Sequence, residues 1–226
     1  FESVPGSVVV PNPTLKVEYT LNGELGISKE ILPGLRVNVN VYYTRLTNGL
    51  MTQNSQFQGA DSIMYDGQLS QVMSTVNAGK AYIYGIEGAL AGQINKYISV
   101  LGTVNYTKGR IATDSVPYPL DHIPPVFGKI SVIYSVNRLR TEFFLNYAGW
   151  KRVVDYNMIG EDNFAYATVD GMPSWFTLNV RVSYSITKAI SLQVACENIL
   201  DQNYRQYASN ISAPGRNFIL TLRGSF

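Results

Sequence analysis

Hydrophobic and polar residues alternate along most of this chain with a period of two. The pattern is clear in the last segment, where every second residue counted back from Phe226 is apolar or glycine: Gly224, Leu222, Leu220 and Phe218. The residues between them are polar, with Ile219 as the one exception. Because successive side chains of a β-strand point to opposite faces, the pattern predicts a strand with one apolar face and one polar face.

The same alternation recurs upstream and predicts about nine strands, which start near Val17, Leu35, Tyr82, Ile98, Val126, Leu139, Phe176, Leu192 and Asn217. The connections alternate in length. Short ones are expected at 28–34, 93–96, 136–138 and 187–189, and long ones at 45–73, 108–125, 149–173 and 199–215. In an antiparallel sheet this alternation gathers the tight turns at one end and the long loops at the other, which is typical of outer-membrane β-barrels.

Charged residues of the predicted strands all fall on the polar face: Glu18, Glu24, Arg36, Glu87, Lys129, Arg140, Glu142, Arg181, Glu197 and Arg223. A charge that faces lipid near the bilayer midplane costs roughly 2–4 kcal/mol, so a transmembrane barrel keeps its charges on the lumen side. A soluble β-sandwich with solvated outer faces would show the same distribution of charge. The alternation of loop lengths therefore favours a barrel more strongly than the charges do.

Composition is compatible with both classes. The chain has 226 residues, of which 46% are hydrophobic, and a mean hydropathy of -0.01. A barrel gives such an average because its polar inward positions dilute the apolar outward ones. The 16 Tyr and 9 Phe suit the aromatic girdles of a barrel. A net charge of +2 gives no field that indicates a nucleic-acid partner. The single cysteine, Cys196, excludes an intramolecular disulfide.

Several short motifs, in their order along the chain, resemble the C-terminal barrel portion of TonB-dependent outer-membrane receptors. They are Pro11-Asn12-Pro13, Asn77-Ala78-Gly79 before Gly85-Ile86-Glu87, Ile123-Pro124-Pro125, Glu197-Asn198-Ile199-Leu200-Asp201 with Tyr204-Arg205, Pro214-Gly215-Arg216-Asn217 and the terminal Phe226. The resemblance implies an all-β fold, a transmembrane antiparallel barrel of about 22 strands. Residues 1–226 would form its C-terminal portion of about nine strands, without the plug domain or the earlier strands.

The resemblance also implies a function. A complete receptor of this family lies in the outer membrane of a Gram-negative bacterium and actively imports a scarce nutrient, of the iron chelate, haem or cobalamin class, with glycan import as a further possibility. Its partners would be outer-membrane lipid, the imported small molecule and, through the N-terminal part, the plug domain and TonB. This chain alone is not expected to transport anything. Its barrel-insertion signal would consist of Phe218, Leu220, Leu222 and Phe226.

Two groups of residues are candidates for contact with a ligand. The long loops combine aromatic and basic residues, as a binding mouth does, at Tyr65, Trp150, Lys151, Arg152 and Tyr156. Trp150 and Trp175 fit an interfacial aromatic belt equally well. The lumen-facing charges Arg36, Glu87, Arg140, Glu142 and Arg181 would contact a ligand or the plug. Solvation or mutual pairing of these charges is the favoured interpretation, because they must face inward whatever the cargo is.

No catalytic, metal or cofactor site is expected. His122 is the only histidine, so a histidine-rich metal or haem site cannot be assembled from this chain. The loop 119–125 gives no support for a Ser-His-Asp hydrolase, and a packing role in the loop is expected for His122. Two other classes remain open. One is a passive porin-like channel without a plug, and the other is a soluble β-sandwich binding module, which leaves Phe226 and the loop alternation unexplained.

Overall fold

The computed structural model describes residues 2–4, 6–112, 116–157, 167–209 and 211–225. Its strands are β1 Glu2–Val4, β2 Ser7–Val10, β3 Tyr19–Leu32, β4 Leu35–Asn54, β5 Ser62–Tyr65, β6 Gln68–Gln93, β7 Ile98–Ala112, β8 Tyr118–Pro119, β9 Phe127–Val136, β10 Leu139–Ala148, β11 Lys151–Arg152, β12 Gly171–Met172, β13 Trp175–Ser185, β14 Ile190–Glu197 and β15 Asn217–Gly224. A short 3-10 helix spans Val153–Asp155. Across the described ranges, no helix has the length and apolar character needed to cross a membrane.

Nine long strands belong to one sheet, in the order β3, β4, β6, β7, β9, β10, β13, β14 and β15. The pairs from β7 to β15 are antiparallel, for example Phe143 opposite Val132 on β9 and Val180 on β13. Strands β3 and β15 each pair on one side only, so the sheet is not closed within the described residues. The prediction of an all-β fold with about nine long strands is confirmed.

The chain divides into two compact units. Unit 1 consists of residues 1–23, 43–83 and 110–118, and unit 2 of residues 24–42, 84–109 and 119–226. In unit 1, β2 pairs in parallel with residues 71–74 of β6. A small apolar core lies there and consists of Val8, Val10 and Val72, with Phe57, Ile63 and Tyr65 packed against it.

Burial in unit 2 is inverted relative to a soluble protein. On β13, the polar residues Thr177 and Asn179 are 2% and 4% exposed, whereas Leu178 and Tyr184 are 38% and 47% exposed. On β15, the exposed fractions of Phe218, Leu220 and Leu222 are 72%, 73% and 70%. Soluble proteins rarely leave contiguous apolar surfaces of this kind in water. The apolar face of the sheet is therefore suited to contact with lipid, and the polar face to a barrel lumen.

Connection lengths alternate as the sequence predicts. The short connections are 33–34, 94–97, 137–138 and 186–189, and the long ones are 55–67, 113–126, 149–174 and 198–216. Positive φ angles at Gly34 (77°) and Asn137 (49°) fit the tight turns, which need residues that tolerate this conformation. The predicted loop 45–73 is wrong in its bounds, because β4 runs to Asn54 and β6 begins at Gln68. Backbone hydrogen bonds continue there although the apolar alternation has ended.

Candidate functional site

Four charged side chains form a row on the polar face of unit 2, across β9, β10, β13 and β14. Lys129 Nζ lies 3.0 Å from Glu142 Oε1, and Arg181 Nη1 lies 3.4 Å from Glu142 Oε2. Arg181 Nη2 lies 3.6 Å from Glu197 Oε1, and Ser131 Oγ donates a 3.0 Å hydrogen bond to Glu142 Oε1. Glu142 is buried, so its carboxylate depends on these partners for the solvation that water no longer provides. The signs alternate along the row, which is therefore neutral as a whole.

The ring of Phe144 supports this row. Phe144 lies opposite Ser131, and Lys129 lies opposite Asn146, one inward position further along. Lys129 Nζ, which contacts Glu142, lies 4.2 Å from the centroid of the Phe144 ring. The Arg181 guanidinium carbon lies 5.2 Å from the same centroid. Two cations therefore cover the ring, and its π face stabilises them. Phe144 is only 7% exposed.

Lys151 connects three of the long loops. It is only 4% exposed, although lysine is rarely buried. Its Nζ donates a 2.5 Å hydrogen bond to the carbonyl oxygen of Ile123 and lies 4.6 Å from the ring centroid of Tyr207 and 5.7 Å from that of Tyr156. The two tyrosine rings meet edge to face at 5.8 Å. The structure thus brings the predicted residues Lys151 and Tyr156 together. It adds Ile123 and Tyr207 as contacts of Lys151, which the sequence analysis did not predict as site residues.

Trp150 and Arg152 form a separate exposed pair beside Lys151. The Arg152 guanidinium carbon lies 4.2 Å from the Trp150 ring, and Trp150 Nε1 donates a 3.0 Å hydrogen bond to the carbonyl oxygen of Asp170. Strand β11 pairs with β12 here, with Lys151 opposite Met172. Alternation along this short hairpin buries Lys151 and exposes Arg152.

A cavity of about 470 Å³ lies where the row of charges meets the loops. The strands contribute Phe127, Lys129 and Asn146 to its lining, and the loops contribute Pro125 and Tyr207, with Trp175 at the start of β13. Most of this lining is aromatic or apolar, with a few polar groups. Pockets of this size and character bind small organic molecules in many proteins.

Trp175 also lines a second cavity, of about 300 Å³, together with Asn203, Tyr204, Arg205 and Ser212. The rings of Trp175 and Tyr204 lie 4.3 Å apart. Burial of its ring and, in second place, the negative charge of Glu197 raise the pKa of Tyr204 above its usual value. Its hydroxyl group therefore remains a neutral hydrogen-bond donor at physiological pH. Trp175 shares its side of β13 with Thr177, which places it on the polar face and not in a lipid-facing belt.

The motif around Asn198 folds the last long loop back on itself. The Asn198 side chain donates a 2.8 Å hydrogen bond to the carbonyl oxygen of Gln202 and accepts one of 2.9 Å from its backbone N–H. Asp201 Oδ1 accepts a 2.7 Å bond from the backbone N–H of Arg216, whose Nε donates to the carbonyl oxygen of Ile199 at 2.9 Å. These bonds fix both ends of the loop that carries Tyr204 and Tyr207.

The remaining predicted site residues lie elsewhere. Tyr65 belongs to unit 1 and packs against its apolar core. Glu87 accepts a 3.1 Å hydrogen bond from Asn105 Nδ2 and lines a separate cavity of about 490 Å³. Arg36 and Arg140 are exposed and lie next to short turns.

Of the expected insertion signal, Phe218, Leu220 and Leu222 point to the exposed apolar face, and Phe226 lies outside the described residues. His122 is exposed and adopts a positive φ of 58°. In the ranges that the structure covers, no three His, Cys, Asp or Glu side chains are grouped as metal ligands would be.

Comparison with solved structures shows the fold. The copper transporter OprC superposes with a TM-score of 0.73 at 17% identity over 94% of this chain. The FrpB iron transporter from Neisseria meningitidis has a TM-score of 0.73 at 13% identity over 97% of this chain. A mutant ferric enterobactin receptor from Pseudomonas aeruginosa in complex with enterobactin has a TM-score of 0.72 at 19% identity over 96% of this chain. This chain spans 32% to 33% of those proteins.

Sequence comparison gives the family. No curated protein matches the chain. The family model described as TonB dependent receptor-like, beta-barrel, matches residues 2–199, which is most of the sequence. That match agrees with the single sheet that contains the nine long strands, its exposed apolar face and its alternating connections. The chain belongs to the family of TonB-dependent receptor-like β-barrels.

Proposed function

We propose that residues 1–226 form the C-terminal part of the barrel of a TonB-dependent receptor, which actively imports a scarce nutrient across the outer membrane of a Gram-negative bacterium. The observation that carries the proposal is the inverted burial of unit 2, with apolar side chains exposed on one face and polar side chains such as Thr177, Asn179 and Glu142 buried on the other. Only a lipid-facing exterior and a polar lumen make this arrangement favourable.

The cargo that we propose is a metal-containing small molecule of the iron chelate, haem or cobalamin class. The similar folds include a copper transporter, an iron transporter and a receptor with bound enterobactin, which supports a metal-related cargo. The two cavities that Trp175 lines support an organic ligand, because their aromatic residues suit its rings and their polar groups fix its orientation. Trp175, Tyr204 and Tyr207 are the residues that we expect to contact it.

The partners that we propose follow from the family. A plug domain and TonB would act through the N-terminal part of the receptor, and outer-membrane lipid would cover the apolar face. The family consists of transporters and receptors, which supports a role without catalysis. A β-sandwich is disfavoured because it needs two sheets packed face to face, whereas the nine long strands described here belong to one sheet.

The experiment is an uptake assay on the complete receptor in a Gram-negative host without its own receptors for the tested compounds. Labelled ferric siderophores, haem, cobalamin, copper chelates and oligosaccharides are supplied one at a time, with TonB intact or deleted. Uptake of one metal-containing class that stops when TonB is deleted supports the proposal. Uptake that continues without TonB would indicate a passive channel, and uptake of oligosaccharides alone would correct the cargo class.

A further inference from the structure

The short-turn end of unit 2 carries a large surplus of positive charge. Residues 29–36, 93–99, 135–140, 185–191 and 221–225 contain seven basic side chains and one acidic side chain, Glu30. All seven are exposed. We call them the basic rim: Lys29, Arg36, Lys96, Arg138, Arg140, Lys188 and Arg223. The Glu30 carboxylate accepts a 2.9 Å hydrogen bond from the backbone N–H of Gly34 and so stabilises the turn between β3 and β4.

A belt of tyrosines lies next to the basic rim on the apolar face. Tyr97, Tyr134 and Tyr184 are 41%, 41% and 47% exposed, and the rings of Tyr97 and Tyr134 lie 6.3 Å apart. Lys96 Nζ lies 4.8 Å from the centroid of the Tyr97 ring. Along these strands toward the short turns, aliphatic residues come first, tyrosines follow, and Lys and Arg come last. This is the order in which a protein meets acyl chains, the interface and charged headgroups.

A cleft of about 420 Å³ opens at one of these turns. Its lining combines apolar Val136 and Leu139 with Asn137, Arg138 and Tyr184. Arg138 Nη1 donates a 3.0 Å hydrogen bond to the carbonyl oxygen of Ile186 in the neighbouring turn, which holds the guanidinium in place. A guanidinium has five N–H donors in all, so the others can meet an anion, and their geometry suits a phosphate group.

We propose that the turn residues of the basic rim, Lys96, Arg138 and Lys188, bind anionic phospholipids, with one phosphodiester in the Arg138 cleft and its acyl chains along the apolar face beside Leu139. The inference rests on the proposed function, because short turns meet the phospholipid leaflet only in a barrel that spans the outer membrane. An acidic protein partner would require the charges but not the adjoining tyrosines and aliphatic side chains. Lipid accounts for both features.

The test uses the complete receptor, purified in detergent and delipidated. Native mass spectrometry then measures its binding of phosphatidylglycerol and phosphatidylethanolamine with identical acyl chains. We expect phosphatidylglycerol to bind more tightly, and Arg138→Gln to weaken it roughly fivefold while the binding of phosphatidylethanolamine stays unchanged. Arg138→Lys keeps the charge and retains much of the preference. Lys80→Gln changes an exposed lysine outside the basic rim and is the matched control.

Several results would overturn the inference: equal binding of the two lipids, a preference that Arg138→Gln leaves intact, or displacement of the lipid by inorganic phosphate, which would reduce the cleft to a simple anion site. If Arg138→Gln does not fold, Lys96→Gln and Lys188→Gln test the same charge effect on two other turns. A lipid preference without TonB-dependent uptake would refute only the proposed import. Uptake without the preference would refute only the lipid site.

Discussion

Glu142 and Arg181 face each other directly across β10 and β13, with Arg181 Nη1 3.4 Å from Glu142 Oε2. The other carboxylate oxygen of Glu142 accepts from Lys129 and Ser131. Glu142 is thus the one member of the row that holds two cations, one on each neighbouring strand. The row links β9, β10 and β13 through this single carboxylate.

Replacing Glu142 by glutamine should destabilise the barrel wall. The change removes a charge that two cations share, and we expect a loss of about 1–3 kcal/mol in the free energy of unfolding, limited because Lys129 and Arg181 are partly solvated. The free energy of unfolding is measured by urea unfolding of the complete receptor in micelles, with tryptophan fluorescence as the signal. The matched control is Glu87→Gln, an exposed carboxylate with one hydrogen bond from Asn105. Equal losses in both variants would contradict the role of the row.

Lys151→Met should loosen the loops without disturbing the strands. Methionine keeps the length and apolar stem of the side chain but loses the bond to the Ile123 carbonyl and the contact with Tyr207, worth about 2 kcal/mol together. Hydrogen exchange should therefore accelerate in residues 119–125 and 199–209 and stay unchanged in β10. Arg152→Met, which removes an exposed cation, is the control. Unchanged exchange in both loop segments would show that Lys151 does not hold them.

Gly128→Ala should impair assembly, whereas Gly102→Ala should be tolerated. A Cβ on Gly128 would collide with the Thr103 carbonyl oxygen and would come 2.6 Å from the Tyr147 hydroxyl oxygen. At Gly102, on the neighbouring strand β7, the nearest atom would be Leu90 Cβ at 3.7 Å. Overpacking of this kind costs about 1–3 kcal/mol. The fraction of folded receptor, resolved on unheated gels, should fall for the first variant only, and equal folding of both would refute the close approach at Gly128.

The pKa of Tyr204, raised in the folded protein by burial and by Glu197, predicts a pH dependence of stability. The folded state holds this proton more tightly than the unfolded chain does, so the contribution is fully present below about pH 10 and is lost as the pH rises through the folded pKa. Tyr204→Phe has no proton to lose. The difference in unfolding free energy between wild type and variant should therefore shift in favour of the variant only above about pH 10. A constant difference from pH 7 to 11 would contradict the assignment.

Much of the fold was predictable because the same physical rule acts at every strand position. Lipid on one side and lumen on the other impose a period of two, and the nine long strands and their alternating turns follow from it. The pattern fails where that rule ends. Beyond residue 44 in β4 and before residue 82 in β6, strands continue without an apolar face, so the sequence indicates a loop where the backbone still forms a ladder.

The candidate site was less predictable, because it depends on contacts between distant loops. Lys151 and Tyr156 were found from their chemistry, but their neighbours Ile123 and Tyr207 lie 28 and 56 positions from Lys151 and share no pattern with it. Phe144 breaks the polar alternation of β10, and that exception was the available signal that a side chain on this face serves another purpose. The Trp175 and Tyr204 contact carried no signal beyond the motif that includes Tyr204.

Trp175 and Trp150 give the sharpest test of where the ligand binds. Trp175 lines two cavities and its ring contacts that of Tyr204, whereas the Trp150 ring contacts Arg152 at the exposed surface. Removing a central, buried aromatic contact commonly costs 2 kcal/mol or more of binding energy, about thirtyfold in affinity, while a peripheral contact costs much less. We therefore expect Trp175→Ala to weaken binding of the compound identified by the uptake assay at least about tenfold, and Trp150→Ala by less than about threefold. Isothermal titration of the complete receptor in micelles measures both, with circular dichroism to verify the β-sheet content of each variant. If Trp150→Ala has the larger effect, the ligand binds on the outer surface of the loops, and the two cavities are gaps in loop packing.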